Sequence, residues 1–350
     1  DDYFNEYSKV DRLEFVSKFT GSAGLAVILK KRNYLFIDGR YTIQSQIESG
    51  KDFKIINYEK LINCNLFKNL KLGIDPRLFT YKQIKKFFLR NNNIKFLDIN
   101  LVDEIKIQKE ENSIPFFSLK KNVVGENSSS KINKICNFLK KNKSDHIFIS
   151  SPENVAWILN IRGKDGPHSP LPNSRLIVSK TKKIFLICEF KKCKKLFKNK
   201  IINYKQFIDV KHFQKKILNL KGKNFIIDEN TCSIYFENII KSKFKINKNR
   251  IDPTYALKAI KNKTEISNTI KAHISDGVAL TKFIYWIKKI NKNKITEVEA
   301  AKKLEKFRKM NKSFLYPSFD TIAGSGKNGA IVHYRATKEN CRVINKKDIF

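Results

Sequence analysis

Methionine is almost missing from this sequence: Met310 stands alone among 350 residues. The chain does not begin with Met, and Lys347-Asp348-Ile349-Phe350 looks like the approach to a buried strand, so the sequence is expected to be cut at both ends. No run of about 18 apolar residues occurs, so no membrane-spanning helix is expected. The six cysteines include no pair with CxxC spacing, and Cys136, Cys188 and Cys232 lie in apolar stretches. That pattern reads as core thiols in a reducing compartment, with a cytoplasmic location. No G-x-S-x-G elbow, HExxH, P-loop or pair of catalytic carboxylates is present, so the segment holds no complete active site of those kinds.

Acidic residues are also scarce, 33 against 71 basic ones, giving a net charge of +38. Such a balance invites a nucleic-acid reading. It is set aside because only 11 of the basic residues are arginine and they are scattered. Specific nucleic-acid grooves favour arginine and aromatic platforms. Lysine, asparagine and isoleucine dominate together, as in proteins of AT-rich genomes. What is plentiful is apolar material: 41% hydrophobic residues, 27 of them Phe, enough for the cores of two or three ordinary domains.

Hydrophobic periodicity predicts an α/β organisation. Leu25–Leu29 and Tyr34–Ile37 read as a hairpin, followed by a helix from Tyr41 to Glu48 and a strand from Phe53 to Asn57. Leu72–Asp75, a helix from Tyr81 to Arg90 and a strand from Ile94 to Leu97 complete the unit. The polar stretch Val123–Ser130 reads as a linker, with a helix starting at its Ser cluster. The pattern then returns: Leu176–Val178 and Ile184–Cys188 as a second hairpin, and Phe225–Asp228 echoing Leu72–Asp75. Two sibling α/β domains, 1–124 and 125–250, are expected, with a third region, 251–350, behind them. That region carries a long amphipathic helix, Thr264–Ile290, then a capping box at Thr296-Glu297-Val298-Glu299. A strand is predicted from Phe319 to Ala323.

Several local motifs allow more than one reading. Gly324-Ser325-Gly326-Lys327-Asn328-Gly329 matches GxGxxG, but a strand-like Ala330–Tyr334 follows instead of a helix, so a tight turn between two strands is expected, not dinucleotide binding. His333, on that second strand, is either a satisfied core residue or a cleft residue that donates to a substrate carbonyl or moves a proton. His273 and Asp276 share a helix face and read as a hydrogen-bonded pair; two ligands alone make no metal site. Gly163 suits a helix C-cap. Arg162 either pairs locally, Asp165 being the nearby acid, or projects into a cleft to grip a peptide carboxylate or carbonyl.

Taken in order, these motifs resemble one family. Phe19-Thr20-Gly21-Ser22-Ala23-Gly24 followed by Phe36-Ile37-Asp38-Gly39-Arg40-Tyr41 resembles the first creatinase-like domain of Xaa-Pro aminopeptidases (aminopeptidase P, of the M24 metallopeptidases). Ala156–Gly163, with Asp165, Pro167 and Pro170, is similar to the second domain. Leu257–Asn262 and Ala272–Gly277 resemble the opening of the "pita-bread" α+β catalytic domain, and Ile322–Tyr334 its glycine turn and histidine strand. The resemblance implies two tandem creatinase-like domains and an incomplete catalytic domain. It also implies a dinuclear metal centre, manganese first and zinc or cobalt as alternatives, held by two Asp, one His and two Glu, none of which falls in this chain. His333 would be the substrate-facing histidine; Arg162, on the cleft reading given above, is the second candidate substrate contact. The expected partners are peptides with proline at the second position and a second copy of the chain, with no specific nucleic acid and no membrane. The given segment alone would be inactive. Gly166 departs from the apolar residue more usual in the family. A non-catalytic relative, binding peptide or protein without the ligands, is the alternative reading.

Overall fold

A computed structural model describes residues 11–61, 68–88, 92–105, 114–166, 168–248, 251–290 and 295–350. The chain divides into two compact units: the described residues of Asp1–Arg12 and Cys64–Glu265, and those of Leu13–Asn63 and Ile266–Phe350.

In the second unit, β1 (Gly24–Ile28) and β2 (Asn33–Ile37) form the expected antiparallel hairpin, and β3 (Lys54–Asn57) adds parallel to β2. Phe19, Leu35, Ile37, Tyr41 and Phe53 fill its core. The helix Lys263–Lys289 runs for 27 residues. Its C-terminal half packs Phe283 and Trp286 with Ala300, Leu304 and Phe307 of the helix Glu297–Lys309. The capping box forms as read: Thr296 Oγ1 accepts from the Glu299 amide, and Glu299 accepts from the Thr296 amide. Apolar side chains Ile266, Ile270, Ile274 and Val278 of the long helix are exposed.

In the first unit, β4 (Lys71–Ile74) pairs parallel with β5 (Asn93–Phe96), and the two-residue strands β6 (Phe117–Ser118) and β8 (Ile161–Arg162) pair antiparallel. The main sheet adds β7 (His146–Ile149), β9 (Arg175–Ser179), β10 (Ile184–Cys188), β11 (Phe207–Asp209), β12 (Asn224–Ile227) and β13 (Lys245–Asn247), in the order β11-β10-β9-β7-β12-β13. Because successive side chains point to opposite faces, Ile147 and Ile149 enter one core and Phe148 the other; Leu176 and Val178 part from Ile177 in the same way. Both faces are buried, so these strands read as continuous apolar runs. The sibling relation is visible in the pairings. The antiparallel β1–β2 with parallel β3 corresponds to β9–β10 with β11, and the parallel pair β4–β5 corresponds to β12–β13. Among the described residues, β7 has no counterpart.

Four thiols of this unit, Cys136, Cys188, Cys193 and Cys232, are buried, and the Cys188 and Cys193 sulfurs lie 3.2 Å apart. The hydrogen bond shared with Cys193, with burial, pushes the Cys188 thiol up, and burial pushes up Cys136 and Cys232. Cys64 lies outside the described residues.

Several expectations are corrected. Val123–Ser130 is not a loose linker: the helix Lys121–Val124 runs into it, and Asn127 caps the helix Ser128–Lys141 by accepting from the Ser130 amide. Gly163 is not the C-cap of the helix Pro152–Leu159; Asn160, in left-handed conformation at φ 54°, fills that role. Gly163 is instead needed for close approach, since a Cβ there would lie 2.7 Å from the Leu171 carbonyl oxygen. No strand forms over 319–323, 330–334 or 347–350. A strand requires a ladder partner. Here the amides of Asn328, Ile331 and Tyr334 turn inward to the carbonyls of Ser325, Asn328 and Ile331, a succession of tight turns. The glycine segment is a 3-10 helix, Gly326–Ala330. The helix from Tyr81 ends at Phe87, and Arg90 lies outside the described residues.

Candidate active site around His333

The segment Phe19–Gly24 packs under the Asp38–Tyr41 motif. Gly21 allows this, because a Cβ there would lie 2.2 Å from the Phe19 ring. Tyr41 is 1% exposed and its hydroxyl lies 2.7 Å from Ser22 Oγ. Asp38 caps the one-turn helix Gly39–Tyr41 by accepting from the Arg40 amide at 2.9 Å. The Arg40 guanidinium folds back onto the same carboxylate, Nε at 3.0 Å from Oδ1 and Nη2 at 2.6 Å from Oδ2. This two-pronged geometry is the strong form of an arginine–carboxylate contact. The side-chain bonds from Arg40 outweigh burial and hold the Asp38 carboxyl below the usual range.

The remaining prong meets His333. Arg40 Nη1 lies 3.2 Å from His333 Nε2, and the Tyr41 and His333 rings stack with centroids 5.6 Å apart and planes 22° off parallel. His333 itself is exposed and sits at φ 60°, a conformation that costs a non-glycine residue about 1 kcal/mol or more. Such strain persists only where the surroundings fix it, and here the fixing group is a carboxylate. Glu297, fully buried at the start of the helix Glu297–Lys309, accepts from the Ser325 amide at 2.6 Å and the Arg342 amide at 3.0 Å. It also accepts from Asn328 Nδ2 at 3.0 Å and the Tyr334 hydroxyl at 2.9 Å. Burial opposes its ionisation, but these donors together outweigh burial and lower its pKa. Its place at a helix N-terminus favours the negative charge further. Glu297 therefore ties together both flanks of the turn that carries His333.

Arg162, in the first unit, is half-buried on β8. Its Nη1 donates to the carbonyls of Ala156 at 3.2 Å and Ile161 at 2.8 Å, closing the end of the helix Pro152–Leu159. Lys131 joins it there, donating to Trp157 O at 2.9 Å and Asn160 Oδ1 at 2.7 Å. Cations at a helix C-terminus meet the negative end of its dipole. Asp165 binds buried Lys192 and the Asn173 amide. Pro167 lies outside the described residues. Asp276 pairs with Arg308 of the following helix at 2.6 Å, which replaces the expected His273 pairing. A cavity of about 550 Å³ in the first unit is lined by Lys140, Lys143, Asp145, Lys180 and Lys223, and contains neither sequence-derived site residue. Among the described residues, no group of three or more His, Cys, Asp or Glu gathers as a metal cage.

Arg40 and Tyr41 belong to a motif visible in the sequence, but their meeting with His333 across 293 positions is not. Glu297 was legible only as part of a capping box whose active carboxylate is Glu299.

Residues 7–105 and 107–265 each match a creatinase/prolidase N-terminal domain, and residues 267–350 match metallopeptidase family M24. The three matched segments together run over nearly the whole of the chain. Xaa-Pro aminopeptidase 1 of Dictyostelium discoideum is 32% identical over 97% of this chain, and Xaa-Pro aminopeptidase ApepP of Drosophila melanogaster 30% identical over the same share. The chain spans 58% of the length of each. The crystal structure of an X-prolyl aminopeptidase from Caenorhabditis elegans, a cytosolic enzyme with a di-nuclear active site, superposes with a TM-score of 0.85 at 24% identity, over 96% of this chain and 58% of that one. The fold is thus two creatinase-type α/β domains followed by part of an M24 domain.

Proposed function

We propose that this chain is part of a metal-dependent aminopeptidase that hydrolyses the N-terminal Xaa-Pro bond of peptides. The observation that carries the reading is the M24 match itself, with Xaa-Pro aminopeptidases alike over 97% of the chain. The presentation of His333 supports it: an exposed imidazole on a turn braced by a buried carboxylate. We place the division of the chain at 1–124, 125–250 and 251–350.

Two divalent ions, manganese first and zinc or cobalt as alternatives, would supply an activated water in such an enzyme. The described side chains do not make a cage for them, so the roles assigned to this chain concern its own residues alone. His333 would donate a hydrogen bond to the scissile carbonyl oxygen as charge develops there. Arg162 would hold a carboxylate or carbonyl of the peptide. The partners are peptides with proline in second position and a second copy of the chain, in the cytoplasm; the unpaired thiols fit a reducing compartment.

The test is release of the first residue from an Xaa-Pro-Yaa peptide by the full-length protein with manganese. His333→Ala is expected to lower kcat/KM by about ten- to a thousand-fold, the range of a lost acid or oxyanion donor. An unchanged rate would reduce His333 to a surface turn residue. Peptide binding without cleavage in the unaltered protein would favour a non-catalytic relative.

A further inference from the structure

The contact between Arg40 and His333 fixes more than position. A guanidinium carries five N–H donors and no acceptor, and it is not deprotonated in proteins. Arg40 stays charged all the more because Asp38 grips it. The 3.2 Å contact from Arg40 Nη1 to His333 Nε2 can therefore be a hydrogen bond only if Nε2 offers its lone pair. An imidazole accepting at Nε2 is neutral and carries its proton on Nδ1. Stacking on Tyr41, itself anchored through its hydroxyl to Ser22, limits rotation of the ring that would exchange the two nitrogens. Asp38 holds Arg40 from behind through Nε and Nη2, which leaves Nη1 as the prong directed at the histidine.

We infer that Arg40 is a positioning residue that fixes His333 as the neutral tautomer protonated on Nδ1, leaving Nδ1–H as the donor for a carbonyl oxygen of the bound peptide. The last clause rests on the proposed reading of His333 as the substrate-facing group; the tautomer does not. The logic is that of a histidine whose second nitrogen is set by the hydrogen bond on the first. Here the partner is a cation in place of the more usual carboxylate or carbonyl, so the tautomer and the neutral state are fixed together. Tyr41 and Asp38 serve the same end, one by stacking and one by aiming the guanidinium.

The experiment uses the full-length protein labelled with ¹⁵N, with the His333 signals assigned by their loss in His333→Gln. Long-range ¹H–¹⁵N correlations at a pH about two units above the ordinary histidine pKa report which ring nitrogen bears the proton. The unaltered chain is expected to show His333 protonated on Nδ1. In Arg40→Met, which keeps side-chain length and removes every donor, the proton is expected to move mainly to Nε2, while Arg40→Lys, which can still donate, retains Nδ1–H in part. The other four histidines of these 350 residues serve as internal controls for folding. Nε2–H in the unaltered chain, or Nδ1–H persisting in Arg40→Met, would overturn the inference. In the full-length enzyme, Arg40→Met is expected to lower kcat about tenfold with a smaller change in KM. A tautomer that shifts while kcat stays unchanged would overturn the carbonyl-donor role, and would do so without touching the tautomer assignment.

Discussion

At the scale of single residues, the chain holds several charges that folding removes from water, and each answers differently. Lys131 is 1% exposed, with its ammonium over the Trp157 ring and on two oxygen acceptors. Burial outweighs the attraction of Glu265 and Glu126 and brings its pKa down to about 8. An unfolded lysine titrates near 10.4, so between those values the unfolded chain binds more protons and stability rises with pH. Denaturation of the chain and of Lys131→Met should therefore differ increasingly as pH rises from about 8 to about 10.4. A constant difference across that window would contradict the burial argument. Lys131 carried no signal in the sequence, where it is one of many lysines; a buried cation becomes visible only once the helix end that it serves is placed beside it.

At the scale of elements, Glu297 joins a helix start to a chain of turns. Its lowered pKa means that its contribution is present above the ordinary glutamate value of about 4.5 and fades as pH falls through the folded-state value. Glu297→Gln keeps the shape and loses the charge, at a cost of about 2 kcal/mol, the scale of hydrogen bonds to a charged group. Hydrogen exchange at the Ser325 and Arg342 amides is expected to quicken about thirtyfold at neutral pH, with the difference shrinking in acid. Unaltered exchange at both amides would show that the turns hold without the carboxylate. This is also the scale at which the sequence was most readable. The β1–β2 and β9–β10 hairpins, the helix at Thr42–Ser49 and the Thr296 cap depend on neighbours a few residues apart, and local pattern captures them. The strands expected at 319–323 and 330–334 failed for the complementary reason. Apolar alternation permits a strand, but a ladder partner decides it, and the backbone bonds of Asn328, Ile331 and Tyr334 close as turns.

At the scale of the whole molecule, the doubled α/β plan was legible because two copies of one pattern recur about 150 positions apart in the same chain. The site was legible only in part. His333 stood out by its glycine-rich surroundings, whereas Arg40 and Glu297, which decide what the imidazole can do, are brought to it from distant parts of the chain. The basic residues behind the charge of +38 are scattered along the sequence and single out no stretch of it. The sealed thiols of the first unit, by contrast, have a practical consequence. Attack by a thiol reagent requires an accessible thiolate, so Cys136, Cys188, Cys193 and Cys232 should react only as fast as their unit opens, while Cys341, in the second unit, reacts early. Mass spectrometry of alkylated peptides over time, read at these five positions, then becomes a built-in clock for breathing of one unit independent of the other. Equal rates at all five would mean that the sulfurs are not sealed.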